Sequence, residues 1–230
     1  MPSWRLHAKW GDLVIGFHSK EIDEVIDRRE SHDAGRYEID VLKTQLATVS
    51  SRFGVKGELY YVLHHILDRF EDRLESEVTK LIEDVVYGDY DIRDRLGDWL
   101  FSLPHILKGL LSGEGLGAIM TYERSRKLAQ ELINSIIERK LVYTLAHDII
   151  VENSFKEKIL RNIEMSLTWR ARSHDDFNRK LSKARESINE LAQLLLDPNF
   201  IERSISESRV RKLYEEVKNL MDKINERLDS

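Results

Sequence analysis

From residue 118 to its C-terminus the chain has no glycine, and Pro198 is the only proline in that stretch. All eleven glycines and the other two prolines, Pro2 and Pro104, lie at or before Gly117. A half that lacks both strong breakers is constrained to long, nearly uninterrupted helices. Apolar residues in both halves recur three and four apart, the period of one helix face. Leu59, Val62, Leu63, Ile66, Phe70, Leu74, Val78, Leu81, Ile82 and Val85 mark a long amphipathic helix over 57–86. A break at 87–89 precedes a second helix through Trp99 and Leu103, expected to stop at Pro104. Over 121–151, Leu128, Leu132, Ile136, Ile137, Leu141, Leu145 and Ile149 spread around most of a third helix, the expected central and most buried element. Ile159, Ile163 and Leu167 repeat the pattern within 155–169. The fold class is all-α, with a helical bundle as its body.

The two ends have their own patterns. Leu6, Trp10, Leu13 and Phe17 have helical spacing, although Gly11-Asp12 is also a turn dipeptide that suits a hairpin; helix is the preferred reading. Ile22, Val25 and Ile26 continue as a second helix, interrupted by 31–35. From Ser173 onward the apolar residues fall into heptads: Phe177, Leu181, Ala184, Ile188, Leu191 and Leu195, then Val210, Leu213, Val217, Leu220 and Ile224. Asp197 and Pro198 end the first run, and Ser204 with Glu207 has the capping-box form that begins a helix. The expected organisation is a helical body over 1–172 and an antiparallel helical hairpin over 173–230. The hairpin reads either as an arm for self-association or protein docking, or as two more helices of the bundle.

Cysteine is absent, so disulfides, zinc knuckles and thiol catalysis are excluded, and any metal site must be built from histidine and carboxylate. No run of eighteen apolar residues occurs, and the N-terminus lacks the basic and then apolar pattern of a signal peptide, so a cytoplasmic protein without a membrane partner is expected. Charged residues make up 33% of the chain and glutamine occurs only three times, a thermophile-like bias. The net charge of −5 is uneven, since residues 1–117 carry 15 basic and 22 acidic side chains and residues 118–230 carry 21 and 19.

Chemistry is suggested by His7 and the adjacent pair His32-Asp33, twenty-five positions on. Imidazole and carboxylate donors together suit a divalent Mn, Fe, Co, Ni or Zn ion. These residues resemble the HD superfamily of metal-dependent phosphohydrolases, all-helical proteins with a histidine on one helix, a His-Asp pair at the end of a later one, and a final aspartate further along. The run His32-Asp33-Ala34-Gly35-Arg36 has the family's small residue and glycine after the pair, whereas Arg28, Arg29, Glu30 and Ser31 replace its usual apolar lead-in. The resemblance covers roughly the first hundred residues. It implies that His7, His32 and Asp33 are ligands. Among Asp68, Asp91, Asp94 and Asp98 as the last ligand, Asp94 has the most family-like separation. It implies hydrolysis of a phosphoester or nucleotide, with Arg36 placed to hold a substrate phosphate.

Other arrangements compete. His64 and Asp68, four apart, share one face of the long helix and suit a second ligand set, but that face points more than about 90° from the stripe of Leu63, Ile66 and Phe70, so at most partial cover is expected. His147-Asp148 falls in an apolar helix and reads as a hydrogen-bonded core histidine, while Ser173-His174-Asp175-Asp176 reads as a polar first helical turn. Gly113-Glu114-Gly115-Leu116-Gly117 has neither the strand nor the lysine of a phosphate loop and reads as a helix connection. Gly-x-Ser-x-Gly and His-Glu-x-x-His motifs are absent. Residues 156–185 hold nine Lys or Arg against four acidic residues, with Trp169 and Phe177 interleaved. This stretch either contacts nucleic acid or forms a solvated face whose aromatics turn inward. A metal-dependent phosphohydrolase is thus the leading expectation, and a non-catalytic helical interaction protein is the alternative.

Overall fold

A computed structural model describes residues 3–27, 37–112 and 115–228, as backbone alone at 215 and from 217 on. The described chain is all-α, its helices packed as a bundle, with no strand among the described residues. Helix α1 spans Trp4–Val14, α2 Lys20–Ile26, α3 Ile39–Gly88, α4 Ile92–Gly109 and α5 Ala118–Thr121. Helix α6 spans Glu123–Glu138, α7 Val142–Ile150, α8 Asn153–Arg170, α9 His174–Leu194 and α10 Pro198–Leu228.

The centre of the molecule is α3 rather than the helix expected over 121–151. Every residue from Tyr60 to Leu67 on α3 is buried, and α1, α2, α4, α5, α6, α8 and α9 all lie against it. A helix apolar around its whole circumference must be enclosed on all sides, and the run Tyr60-Tyr61-Val62-Leu63 followed by Ile66-Leu67 is such a stretch. Gly54, with φ 63° and ψ −157°, divides α3 into two segments in a conformation that an L side chain resists.

The 121–151 stretch is two helices, α6 and α7. Lys140 turns left-handed at φ 55°, and the Leu141 N–H bonds to the Ile136 carbonyl while the Lys140 N–H bonds to that of Ile137. This is the usual helix-ending pair of bonds made without glycine, so composition gives no sign of it. Pro104 lies inside α4, which continues to Gly109 and forgoes one backbone hydrogen bond.

At the C-terminal end α9 is capped by Ser173, whose Oγ accepts the Asp176 N–H at 3.1 Å, as the polar-turn reading of this segment expects. The next helix begins at Pro198, six residues before the expected capping box. Helix α9 ends at Leu194, just before Asp197-Pro198 as expected, and Asp197 Oδ1 accepts the N–H groups of Asn199 and Phe200, so the same pair also starts the next helix. The two helices follow one another through a tight turn, yet each packs mainly on another neighbour. Helix α9 packs against α8 and α3, and α10 lies on α4. Val210 and Leu213 of the second heptad run face solvent, as does Tyr214.

Candidate metal centre

Helix α1 starts at Ser3, whose Oγ accepts the Leu6 N–H, and runs straight through Gly11-Asp12. Gly11 is needed for contact rather than for a turn. A Cβ there would stand 2.5 Å from Tyr60 Cε2 and 2.6 Å from the Phe17 carbonyl oxygen, so α1 sits directly on the Tyr60 ring of α3. One turn back from Gly11 is His7, and one turn forward from Tyr60 is His64. Their rings meet with centroids 3.9 Å apart. Helix α2 closes the same face with Asp23, and the residue that ends it, Asp27, lies one turn further on.

His64 lies at the middle of this cluster. Its Nδ1 donates to Asp23 Oδ1 at 2.9 Å, since a carboxylate can only accept, and the other oxygen of Asp23 accepts the Tyr60 hydroxyl at 3.0 Å. The other ring nitrogen, Nε2, faces Asp68 Oδ2 at 3.3 Å and Asp27 Oδ1 at 3.6 Å. Asp68 Oδ1 in turn stands 3.3 Å from His7 Nε2. Asp27 Oδ2 accepts the Trp4 indole N–H at 2.7 Å. His7, His64, Asp23 and Asp68 are all at most 3% exposed. One ligand atom each from His7, His64 and Asp68 lies within 4.8 Å of the others.

The hydrogen-bonding account of this cluster does not close. Both nitrogens of His7, Nε2 of His64 and both oxygens of Asp68 are buried without a well-formed hydrogen bond among the described residues. Buried polar groups in native proteins are almost always paired, so five such atoms within one cluster signal missing partners. Charge points the same way. Three carboxylates, Asp23, Asp27 and Asp68, meet two imidazoles, and no Lys or Arg pairs with them among the described residues. Among the described residues one negative charge is left over even with both imidazoles protonated, and a cation would balance it.

Proton affinities report the same tension. Burial acts to lower the pKa of His64, but Asp23, Asp27 and Asp68 outweigh it and hold the ring well above its ordinary 6.5. Burial would raise the Asp68 carboxyl, yet His64 and His7 keep it well below the usual carboxylate range. A positive charge is thus strongly favoured at His64 Nε2, and either a proton or a metal ion supplies it. Two imidazole nitrogens and carboxylate oxygens fit Mn, Fe, Co, Ni or Zn. The Asp23-to-His64 bond, with Tyr60 behind it, is the kind of carboxylate support that would orient His64 were it to hold a metal.

Of the residues singled out by sequence, His7 lies in this cluster, while His32, Asp33 and Arg36 lie outside the described residues. Asp94 is not in the cluster: it is exposed in the first turn of α4. Asp91 caps that helix by accepting the Arg93 N–H, and Asp98 pairs with Arg211. His64 and Asp68 are fully covered, against the expected partial exposure. The face they occupy is polar only when α3 is taken alone, and α1 and α2 are what cover it. Asp23 and Asp27 were not anticipated; their four-residue spacing is the one signal that marked them.

Elsewhere, Asp148 accepts Lys9 Nζ at 2.6 Å and Trp10 Nε1 at 3.1 Å, so the His147-Asp148 pair ties α7 to α1. In the basic stretch, Lys158 pairs with Glu71, Arg179 and Lys180 with Asp176, and Lys183 with Asp89. Trp169 is 89% exposed, whereas Phe177 packs against the core. Compared with known proteins, the chain matches no family model, no curated protein and no solved structure.

Proposed function

We propose that this protein is a divalent-metal-dependent phosphohydrolase acting on a phosphoester or nucleotide, with His7, His64 and Asp68 as metal ligands. The observation that carries the reading is the set of orphaned, buried donor atoms around His64, whose charge balance calls for a cation. An ion bound there lowers the pKa of a coordinated water and neutralises charge on a phosphoryl group. The resemblance of the N-terminal region to HD phosphohydrolases supports the reaction class and adds His32, Asp33 and Arg36 as further candidates next to Asp27 in the chain.

The test is hydrolysis of p-nitrophenyl phosphate, bis-p-nitrophenyl phosphate and a nucleotide panel, with Mn, Co, Ni or Zn added to metal-stripped protein. Metal-dependent turnover that disappears in His64→Ala and Asp68→Ala, both checked for folding by circular dichroism, supports the proposal. Turnover that is absent with every metal, or unchanged in both variants, defeats it.

A second reading rests on α10. Val210, Leu213 and Tyr214 are each more than 60% exposed, and their apolar side chains suit a protein partner or a second copy of the chain. Truncation after Lys212 would then alter the oligomeric state measured by light scattering.

A further inference from the structure

We propose that the cleft between the α6–α7 turn and the start of α10 binds a small amphipathic anion, an apolar chain or ring that carries a carboxylate. The site shares no residue with the metal cluster and stands or falls independently of it.

The cleft has a volume of about 530 Å³, within the range of about 300–1,000 Å³ usual for small-molecule sites. Its wall is apolar because several helix ends meet there. Ile137 comes from the end of α6, Val142 from the start of α7 and Leu195 from just past α9, while Ile201 and Ile205 lie one turn apart on α10. Val142, Leu195 and Ile201 are buried, and Ile137 and Ile205 are half-buried. Leu196, also on the wall, is 63% exposed. An apolar wall with a leucine held in solvent beside it suits the apolar body of a ligand.

Three polar groups on the same wall define the charge of that ligand. Lys140 and Arg209 form no ion pair among the described residues, and the Tyr143 hydroxyl has no hydrogen-bond partner among them. Glu202 is the one carboxylate in the lining, so an excess of one positive charge remains. Lys140 holds the left-handed backbone, φ 55°, that glycine adopts most easily, yet the position carries a side chain that lines the cleft. Arg209 lies over the Phe101 ring, its Cζ 5.6 Å from the centroid, which covers one face of the guanidinium and leaves its N–H groups for an acceptor. Burial raises the Tyr143 pKa and the Arg209 charge opposes that rise, so guanidinium and phenol lie within electrostatic reach of each other and the phenol is a donor at neutral pH. A carboxylate accepts from all three groups while its apolar remainder lies along the isoleucines.

Calorimetric titration of the full chain with decanoate, set against decanol and decylamine, tests this. Decanoate should bind with a Kd on the order of 10–100 μM, and decanol and decylamine at least about tenfold more weakly. Lys140→Gly suits the left-handed turn, so it should keep or raise Tm while weakening decanoate roughly three- to tenfold. Arg209→Gln, at an exposed position, should weaken decanoate by a similar factor with Tm unchanged. Ile205→Trp fills the cleft from a half-buried position and should abolish binding, with thermal melts confirming the fold. Three results would each overturn the proposal: no binding at about 1 mM decanoate, decanol or decylamine bound as tightly as decanoate, or wild-type affinity in both Lys140→Gly and Arg209→Gln.

Discussion

Asp23 shows how one buried carboxylate can serve folding and chemistry together. It accepts from Tyr60 and His64, both fully buried, and removing it leaves two donors without partners. Asp23→Ala should therefore cost about 1–3 kcal/mol for each orphaned group, measured by urea unfolding of the metal-free protein. The same variant should weaken metal binding roughly 10–100-fold, because the His64 ring loses its orienting bond. Asp23→Asn keeps an acceptor for one donor and should fall between the two. At this scale the sequence was informative about residue type and uninformative about partners. His7 stands out as a histidine on an otherwise apolar helical face, and His64 and Asp68 as an i, i+4 pair. Their burial depends on α1 and α2 closing over that side of α3, which no local period reveals.

Helix packing places the proposed ligands, and Gly11 is where the placement is most sensitive. Any Cβ at that position meets the Tyr60 ring and the Phe17 carbonyl. Gly11→Ala should push α1 off α3, separating His7 from His64, and so reduce metal affinity although residue 11 touches no ligand. A smaller loss of affinity than of thermal stability would argue that α1 recovers its position by another route. Helix α10 depends on a different contact, since Asp98 of α4 receives Ser208 and pairs with Arg211 at 3.0 Å. Burial works against the Asp98 charge, but Ser208 and Arg211 hold its pKa below the ordinary 3.8. A depressed carboxylate stabilises the folded state above about pH 3.8 and loses that contribution as the pH falls through its folded-state value. The melting difference between wild type and Asp98→Asn should accordingly be largest near neutrality and shrink below pH 3.8. Helical periods were legible across most of the chain, and boundaries less so. The Lys140 turn uses no glycine, Pro104 is tolerated mid-helix, and Asp197-Pro198 both follows the end of one helix and opens the next.

The whole molecule is an acidic all-α bundle built around a helix that carries polar chemistry at its most buried stretch. Fold class could be read from glycine distribution and apolar period, because both are local properties. The candidate centre could not, since it joins residues 7, 64 and 68 from two helices, with Asp23 of a third bonded to His64. A cation that neutralises this cluster binds the folded state alone, so it should stabilise the entire bundle. At a free metal concentration one hundred times the Kd the gain is about 2.7 kcal/mol. For a chain of this size that raises Tm by roughly 5–10 °C, reversible with a chelator. The most direct test of the central claim is metal content by plasma mass spectrometry, after equilibration with Mn, Co, Ni or Zn and exhaustive dialysis. Wild type should be compared with His64→Ala, Asp68→Ala and the double variant His32→Ala with Asp33→Ala. Near-stoichiometric transition metal is expected in the wild type, with its loss in His64→Ala and Asp68→Ala. Wild-type protein that retains no metal, or His64→Ala and Asp68→Ala variants that retain as much as wild type, would contradict it.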